Sequence, residues 1–277
     1  MWTNELLKNN AKECLKRYYW SAVLCVFLTY LATSTISGAV SGVLTTILSV
    51  LGSVIGTVFG VSASALGVAG EEAGSEMMMA GAGIGMILAI IIIYIIVFVL
   101  TLAVSVAIGA FVTGPFNLVG LNRYFMVSRT RKAGADDVMF AVKSGHYKNV
   151  AKVSFFYTLY LTLWTMLFYI PGIIKMYEYF LVPYILAENP AISKDRAFEI
   201  SKKTMEGEKM NTFILSLSFI GWYALVMLAT MMTFGLGVIG IYALIPYMNA
   251  TFVELYTCLR EKALTNGYAT PEELIGY

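Results

Sequence analysis

"LGSVIGTVFG", residues 51–60, places Gly52, Gly56 and Gly60 at every fourth position inside an uncharged run from Tyr18 to Gly70. That run is long enough for two membrane crossings of roughly 20 residues each. Whether the segment around these glycines crosses a bilayer decides the topology of the whole chain. On a 3.6-residue wheel, residues 38–60 divide into two faces. One carries Gly38, Gly42, Gly52, Gly56 and Gly60 among Ser and Thr, and the other carries Val, Ile, Leu and Phe. A stripe of small residues lets helix backbones approach closely. Each helical glycine costs about 1 kcal/mol against alanine, so the stripe calls for a partner. The rest of the chain, a second copy, and a surface-lying or re-entrant placement remain open alternatives, with Gly52, Gly56 and Gly60 as the packing candidates.

Composition points to lipid as part of the solvent. Of 277 residues, 58% are hydrophobic and 13% charged, with mean hydropathy +0.74. Soluble domains carry about 25% charged residues. A net charge of +2 gives no basis for expecting a nucleic-acid partner. Cys14, Cys25 and Cys258 lack metal-ligand spacing and read as free thiols in or near a reducing cytosol. The apolar run after Arg17 exceeds the 7–15 residues of a signal-peptide core, so it reads as an anchor.

Apolar stretches occur at 18–38, 39–61, 82–112, 153–171, 173–189, 212–233 and 236–258. Basic residues near spans stay on the cytoplasmic side. They cluster before the first stretch, within 116–152, within 190–211 and after the last, and Lys175 alone falls elsewhere. Placing all four clusters inside requires an even number of crossings between Arg17 and Arg123. Stretch 82–112 provides one. Tyr18, Tyr19 and Trp20 mark the inner end of 18–38 as the other.

The expected fold is therefore all-α, a polytopic membrane protein of about six transmembrane helices arranged as three hairpins, with both termini cytoplasmic. Residues 1–17 form a cytoplasmic amphipathic helix and 18–260 a single transmembrane domain. Within that domain, 39–81 is an extracytoplasmic Gly-rich helical insertion containing Glu71, Glu72 and Glu76, and 116–152 and 190–211 are cytoplasmic loops. Residues 261–277 are a cytoplasmic tail. Proline precedes an aromatic in "TGPFN", "LVPYI" and "LIPYM" at Pro115, Pro183 and Pro246, a weak hint of a triplicated hairpin. In 190–211, Asn189 and Pro190 are expected to open a helix that lies against the membrane and ends near Gly207.

"GPFNLVGLNRYF", "PYILAENPAISKDRAFEISKKTMEGEKMNTFILSLSFIGW" and "IPYMNATFVELY", together with the N-terminal "AKECLKRYYW", resemble a family of integral-membrane proteins of Gram-positive bacteria, domain of unknown function 975. The resemblance covers nearly all of the chain after residue 110, and the quoted blocks include no part of the Gly-rich segment 38–86. It implies a multi-pass protein of the bacterial plasma membrane and supplies no catalytic residues.

Little chemistry is spelled out. His146 is the single histidine and reads as a solvated loop residue. No cluster has metal-ligand spacing, and no Gly-Lys phosphate loop is present. No catalytic residue, cofactor or metal is expected. Ionisable or strongly polar residues in apolar surroundings are the remaining candidates: Lys175, Glu178, Asn249 and Glu254. Lys175 and Glu178 stand three apart and can pair on a helix, expected at the outer membrane interface. Glu254 is expected to pair with Arg123 or the Lys202/Lys203 region, or to cap a cavity with Asn249. Tyr157, Tyr160, Trp164 and Phe168 read as packing. The function expected is a non-enzymatic scaffold, accessory or regulatory component of a membrane system. The alternative is a transporter or channel for a small or amphipathic solute. The bilayer is the expected partner, with a homo-oligomer or another membrane protein possible beside it.

Overall fold

A computed structural model describes residues 2–68 and 75–275. Within its helices, the side chains of 44, 51, 54–56, 58–68, 75–87, 89 and 238 are outside the described set. Gly56, Gly60 and Glu76 thus have no described surroundings, and Glu71 and Glu72 lie outside the described residues altogether. The described residues are all-helical, with no strand.

The chain opens with α1 (Asn4–Lys16), capped by Thr3, whose hydroxyl accepts from the Leu6 amide at 3.2 Å. A single long α2 (Tyr19–Val68) and α3 (Ser75–Ile108) follow. A π-helical segment, Gly109–Gly120, contains Pro115 and leads into α4 (Leu121–Val127). Two short turns, α5 (Ala135–Val138) and α6 (Phe140–Lys143), precede α7 (Tyr147–Leu167). Then come α8 (Tyr169–Glu178), α9 (Val182–Glu188), α10 (Lys194–Thr204), α11 (Lys209–Leu217), α12 (Ile220–Met232) and α13 (Ile239–Thr265).

Among the described residues, four stretches are long and apolar enough to cross a bilayer: Tyr19–Val50, Ile90–Val127, Tyr147–Leu167 and Lys209–Met232. They suggest membrane association. The chain divides into two compact units, residues 35–107 and the remainder.

Helix α2 departs from the expected boundary. A break near residue 38 was the expectation, yet the helix continues for 50 residues. The segment holds no proline, and none of its described residues takes a positive φ, so nothing in it stops a helix once started. At 1.5 Å per residue α2 is about 75 Å long, more than twice the roughly 30 Å hydrocarbon core. A Cβ placed on Gly38, Gly42 or Gly52 would meet no described atom within 4 Å. Those three positions therefore gain no close contact from the described part of this chain.

The remainder, residues 2–34 and 108–275, holds a dense core. Leu7, Ala11 and Leu15 of α1 are buried against α13. The apolar face of this amphipathic helix is thus covered by protein. Close backbone approach explains two glycines of the π-helical segment. A Cβ on Gly114 would sit 2.5 Å from the Ser154 Cβ, and one on Gly120 would sit 2.2 Å from the Val138 carbonyl oxygen. The three Pro-aromatic sites are not equivalent. Pro115 sits in π-helix, Pro183 in the first turn of α9, and Pro246 inside the unbroken α13.

Helix α10 starts four residues later than Pro190. Ser193 caps it, accepting from the Arg196 amide at 3.3 Å. Asn189 instead accepts from the Ala191 amide and holds the bend. Ile192, Ala197, Ile200 and Met205 are buried within the protein core, so this helix packs its apolar residues on the rest of the chain. The chain then turns at Gly207, whose φ of +80° suits glycine.

Candidate functional site

Charged side chains from distant parts of the sequence gather at one end of the helical core and pair there. Glu188 closes α9 with its side chain fully buried. It accepts from Arg260 Nε at 2.6 Å and from the Tyr256 hydroxyl, both on α13. Glu254 accepts from Arg129 Nε at 2.7 Å and Nη2 at 3.2 Å, a fork that adds geometric specificity to charge. Arg129 also donates to the Thr257 hydroxyl at 2.8 Å. The expected partners of Glu254 were Arg123 and the Lys202/Lys203 region. Arg123 instead donates to the Ala187 carbonyl and lies 4.4 Å from the Phe140 ring centroid, which leaves Arg129, just after α4, to face α13.

Glu178 joins two segments. It accepts from Lys175 at 2.8 Å, as the i,i+3 spacing predicts, and from Lys209 at 2.9 Å. Its backbone carbonyl accepts from the Ser201 hydroxyl at 2.8 Å. The pair is tied to α10 and α11, which carry the basic cluster 190–211. The reason is the turn at Phe168. It folds α8 back along α7, so that Lys175 and Glu178 return toward the charged end. Asn249 is half-buried on α13, one turn before Glu254. None of Lys175, Glu178, Asn249 and Glu254 lines the groove described below.

The C-terminal segment is fastened to the same end. Arg196 donates to Glu273 at 2.5 and 2.9 Å and to the Tyr268 carbonyl at 2.9 Å. Asn189 Nδ2 donates to the Glu273 carbonyl, and Arg260 to the Leu274 carbonyl. The Arg196 guanidinium holds the Glu273 carboxyl down to about 2. Leu274 is buried, so "TPEELIGY" forms a docked turn through its described residues. Lys262 pairs with Glu208 at 2.9 Å, and Glu208 also accepts from the Trp2 indole at 3.1 Å. His146 is exposed at the start of α7, its Nδ1 2.8 Å from the Ser144 carbonyl oxygen. Among the described residues the three cysteines are free thiols.

Beside this end lies a groove of about 750 Å³ between α1, α12 and α13. Its walls include Trp222, Val226 and Tyr247, and Lys12, Lys16 and Tyr19 also line it. The shape follows from the glycines of the α12–α13 hairpin. A Cβ on Gly237 would sit 2.3 Å from the Thr230 amide nitrogen, so the two arms touch at their tip. At Gly240 the neighbour is only the Val226 side chain, at 3.4 Å, and beyond it the arms part to admit α1. Tyr19 fixes the opening by donating to the Ala243 carbonyl at 2.9 Å. Lys12 Nζ lies 5.9 Å from the Tyr247 ring centroid. An apolar cleft with ammonium groups among its lining suits an anionic amphiphile. This groove was not visible in the sequence, although Lys8, Lys12 and Lys16 at four-residue spacing marked one basic helix face.

A family model described as "Protein of unknown function (DUF975)" matches residues 1–263. No curated protein and no solved structure matches the chain. The match runs from α1 to within two residues of the end of α13, and the chain belongs to the DUF975 family.

Proposed function

We propose that this chain is a non-enzymatic, multi-pass protein of the bacterial plasma membrane, with both termini on the cytoplasmic side, acting as a scaffold, accessory or regulatory component of a membrane system. The observation that carries this reading is the pairing of four sequence-distant charged segments at one end. Residues 129–137, 175–209, 254–262 and 268–274 are joined there by Glu188–Arg260, Glu254–Arg129, Glu273–Arg196 and Glu208–Lys262, and the Trp2 indole, donating to Glu208, adds the N-terminal segment. Pairing at one end supports one common side for all of them, so each apolar excursion leaves that end and returns to it. The expected six crossings in three hairpins satisfy this rule, as does any even number. A body so extensively cross-braced suits presentation of a fixed surface to a partner. The polar residues that a solute path would need are bound in ion pairs, which supports a structural role for Lys175, Glu178 and Glu254.

Crosslinking in native membranes followed by affinity capture tests this. A defined membrane-protein partner, lost when exposed charges of α10 such as Lys202 and Lys203 are reversed, is the expected result. Capture of no partner, with unchanged behaviour of the charge-reversed chain, would overturn it.

The groove favours a second reading, a carrier or sensor of an anionic amphiphile. Lys12→Glu should then abolish binding of a fluorescent anionic lipid to the purified protein, while a zwitterionic lipid stays unbound in both forms. Equal binding of both lipids by both forms would remove this reading.

A further inference from the structure

The depth of the α7–α8 hairpin can be measured against charges fixed beside both of its arms. At its base, Asn149 on α7 donates to the Pro190 and Ile192 carbonyls, each at 2.8 Å. About two to three turns further along α7, Lys194 Nζ lies 4.4 Å from the Phe156 ring centroid, and Tyr160 packs on Phe198 of α10. On the returning arm, Lys175 and Glu178 are bound to each other and to Lys209. Charged residues of α10 and α11 therefore flank both arms as far as about Tyr160 and Lys175. Only residues 161–174 extend past them.

Those residues are apolar and uncovered. Leu163, Leu167, Phe168, Tyr169, Ile170 and Ile174 are all exposed, with Ile170 and Tyr169 each at 72%. Seven residues separate Lys175 from the turn at Phe168, a reach of about 10 Å. The hydrocarbon core is about 30 Å thick, so this tip is too short to cross once its charged base stays in the polar zone.

The tip is also built to leave water. Lipid-exposed backbone must satisfy its own polar groups. Here the Phe168 amide donates to the Trp164 carbonyl at 3.1 Å, and the Gly172 amide to the Phe168 carbonyl at 3.0 Å. The arms are closed tightly, since a Cβ on Gly172 would fall 2.8 Å from the Thr165 Cα. At the shoulder, Lys175 Nζ sits 5.4 Å from the Trp164 ring centroid. A cation beside an indole is the pairing expected at the headgroup level.

We infer that the α7–α8 hairpin is a half-inserted wedge, with its tip 161–174 buried in the lipid of the leaflet that borders the charged end, and that it does not cross the membrane. The full crossings are then left to the longer apolar excursions, and their number stays even. The inference rests on the membrane placement proposed above. Its experiment must separate failure of the wedge from failure of that placement.

The test is site-directed spin labelling in reconstituted vesicles, with Cys14, Cys25 and Cys258 replaced by Ala. Ile170→Cys and Tyr169→Cys, both at exposed positions, each carry the label, and Lys203→Cys on α10 is the reference. A wedge gives collision with oxygen several-fold above collision with a water-soluble nickel chelate at 169 and 170. It also gives strong chelate collision at 203. In intact cells, none of the three should react with an impermeant maleimide. Maleimide reaction at 170 from outside, with 203 protected, would mean a full crossing and overturn the wedge. Chelate collision as strong at 170 as at 203 would mean that the tip never enters lipid, and would overturn it equally. Reaction of 203 from outside would instead overturn the orientation of the whole charged end.

Discussion

Gly120 and Gly52 occupy helices of the same chain and meet opposite surroundings. At Gly120 an added Cβ would press within 2.2 Å of the Val138 carbonyl oxygen, and at Gly52 it would meet no described atom within 4 Å. Gly120 looks incidental in the sequence, a single glycine between Val119 and Leu121. Gly52 belongs to the regular stripe that most resembles a packing surface. Periodicity announces a face and stays silent about whether anything covers it. The close approaches of this fold are set by ion pairs and by a π-helical segment that widens the backbone beside α7, neither of which has a period to read.

The contrast can be broken most severely at the charged end. Glu188 has a fully buried side chain and Arg260 as its cationic partner. Arg260→Ala takes this cation away from a buried carboxylate. Removing one partner of a buried pair typically costs about 3–5 kcal/mol. We expect a large fall in melting temperature of the detergent-purified protein, and an Arg260→Ala protein that melts like the parent would remove the network from the account of stability. Gly120→Ala comes next. The Val138 carbonyl is backbone and has little room to yield, so overpacking of about 1–3 kcal/mol is expected, read from the same melts.

A smaller effect belongs to pH. The Glu273 carboxyl is held at about 2, against an ordinary value of 4.5, chiefly by the hydrogen bond from Arg196. A depressed folded value means that its contribution is fully present above about pH 4.5 and is lost as pH falls toward 2. The turn 268–275 should therefore gain amide exchange over that window, after intrinsic rates are corrected for pH. In Arg196→Gln the protection should be missing already at neutral pH. A turn equally protected in both proteins would show that Leu274 burial alone holds it.

The least effect is expected at the stripe. Gly52→Ala should leave the melting temperature unchanged or raise stability by up to about 1 kcal/mol through helix propensity. A loss of stability at unchanged mass would reveal an intramolecular contact. A drop in oligomeric mass in detergent would identify a second copy as the cover.

The helical class, four stretches able to span a bilayer and the family were legible from apolar run lengths and from blocks such as "SKKTMEGEK", whereas the expected stretches 173–189 and 236–258 are not among those four. The i,i+3 spacing gave the Lys175–Glu178 pair, which is local. What stayed hidden was long-range. Nothing near Glu254 distinguishes Arg129 from Arg123, because the choice depends on which face of the segment after the π-helical turn looks at α13. The burial of α1 was equally hidden, since Leu7, Ala11 and Leu15 make the same amphipathic pattern whether lipid or α13 covers them. The groove arises from the divergence of α12 and α13 beyond Gly240, a feature of backbone approach with no sequence period.

The central claim is that every charged segment lies on one side of one membrane. Lys143→Cys, Lys203→Cys and Glu272→Cys, in a chain with Cys14, Cys25 and Cys258 replaced by Ala, test it directly. All three positions are exposed to solvent. In intact cells an impermeant maleimide should label none of them, and in inverted membrane vesicles it should label all three. Labelling of any one from outside, with the others protected, would contradict the account, because residues held at a single ion-paired end cannot stand on opposite faces of a bilayer.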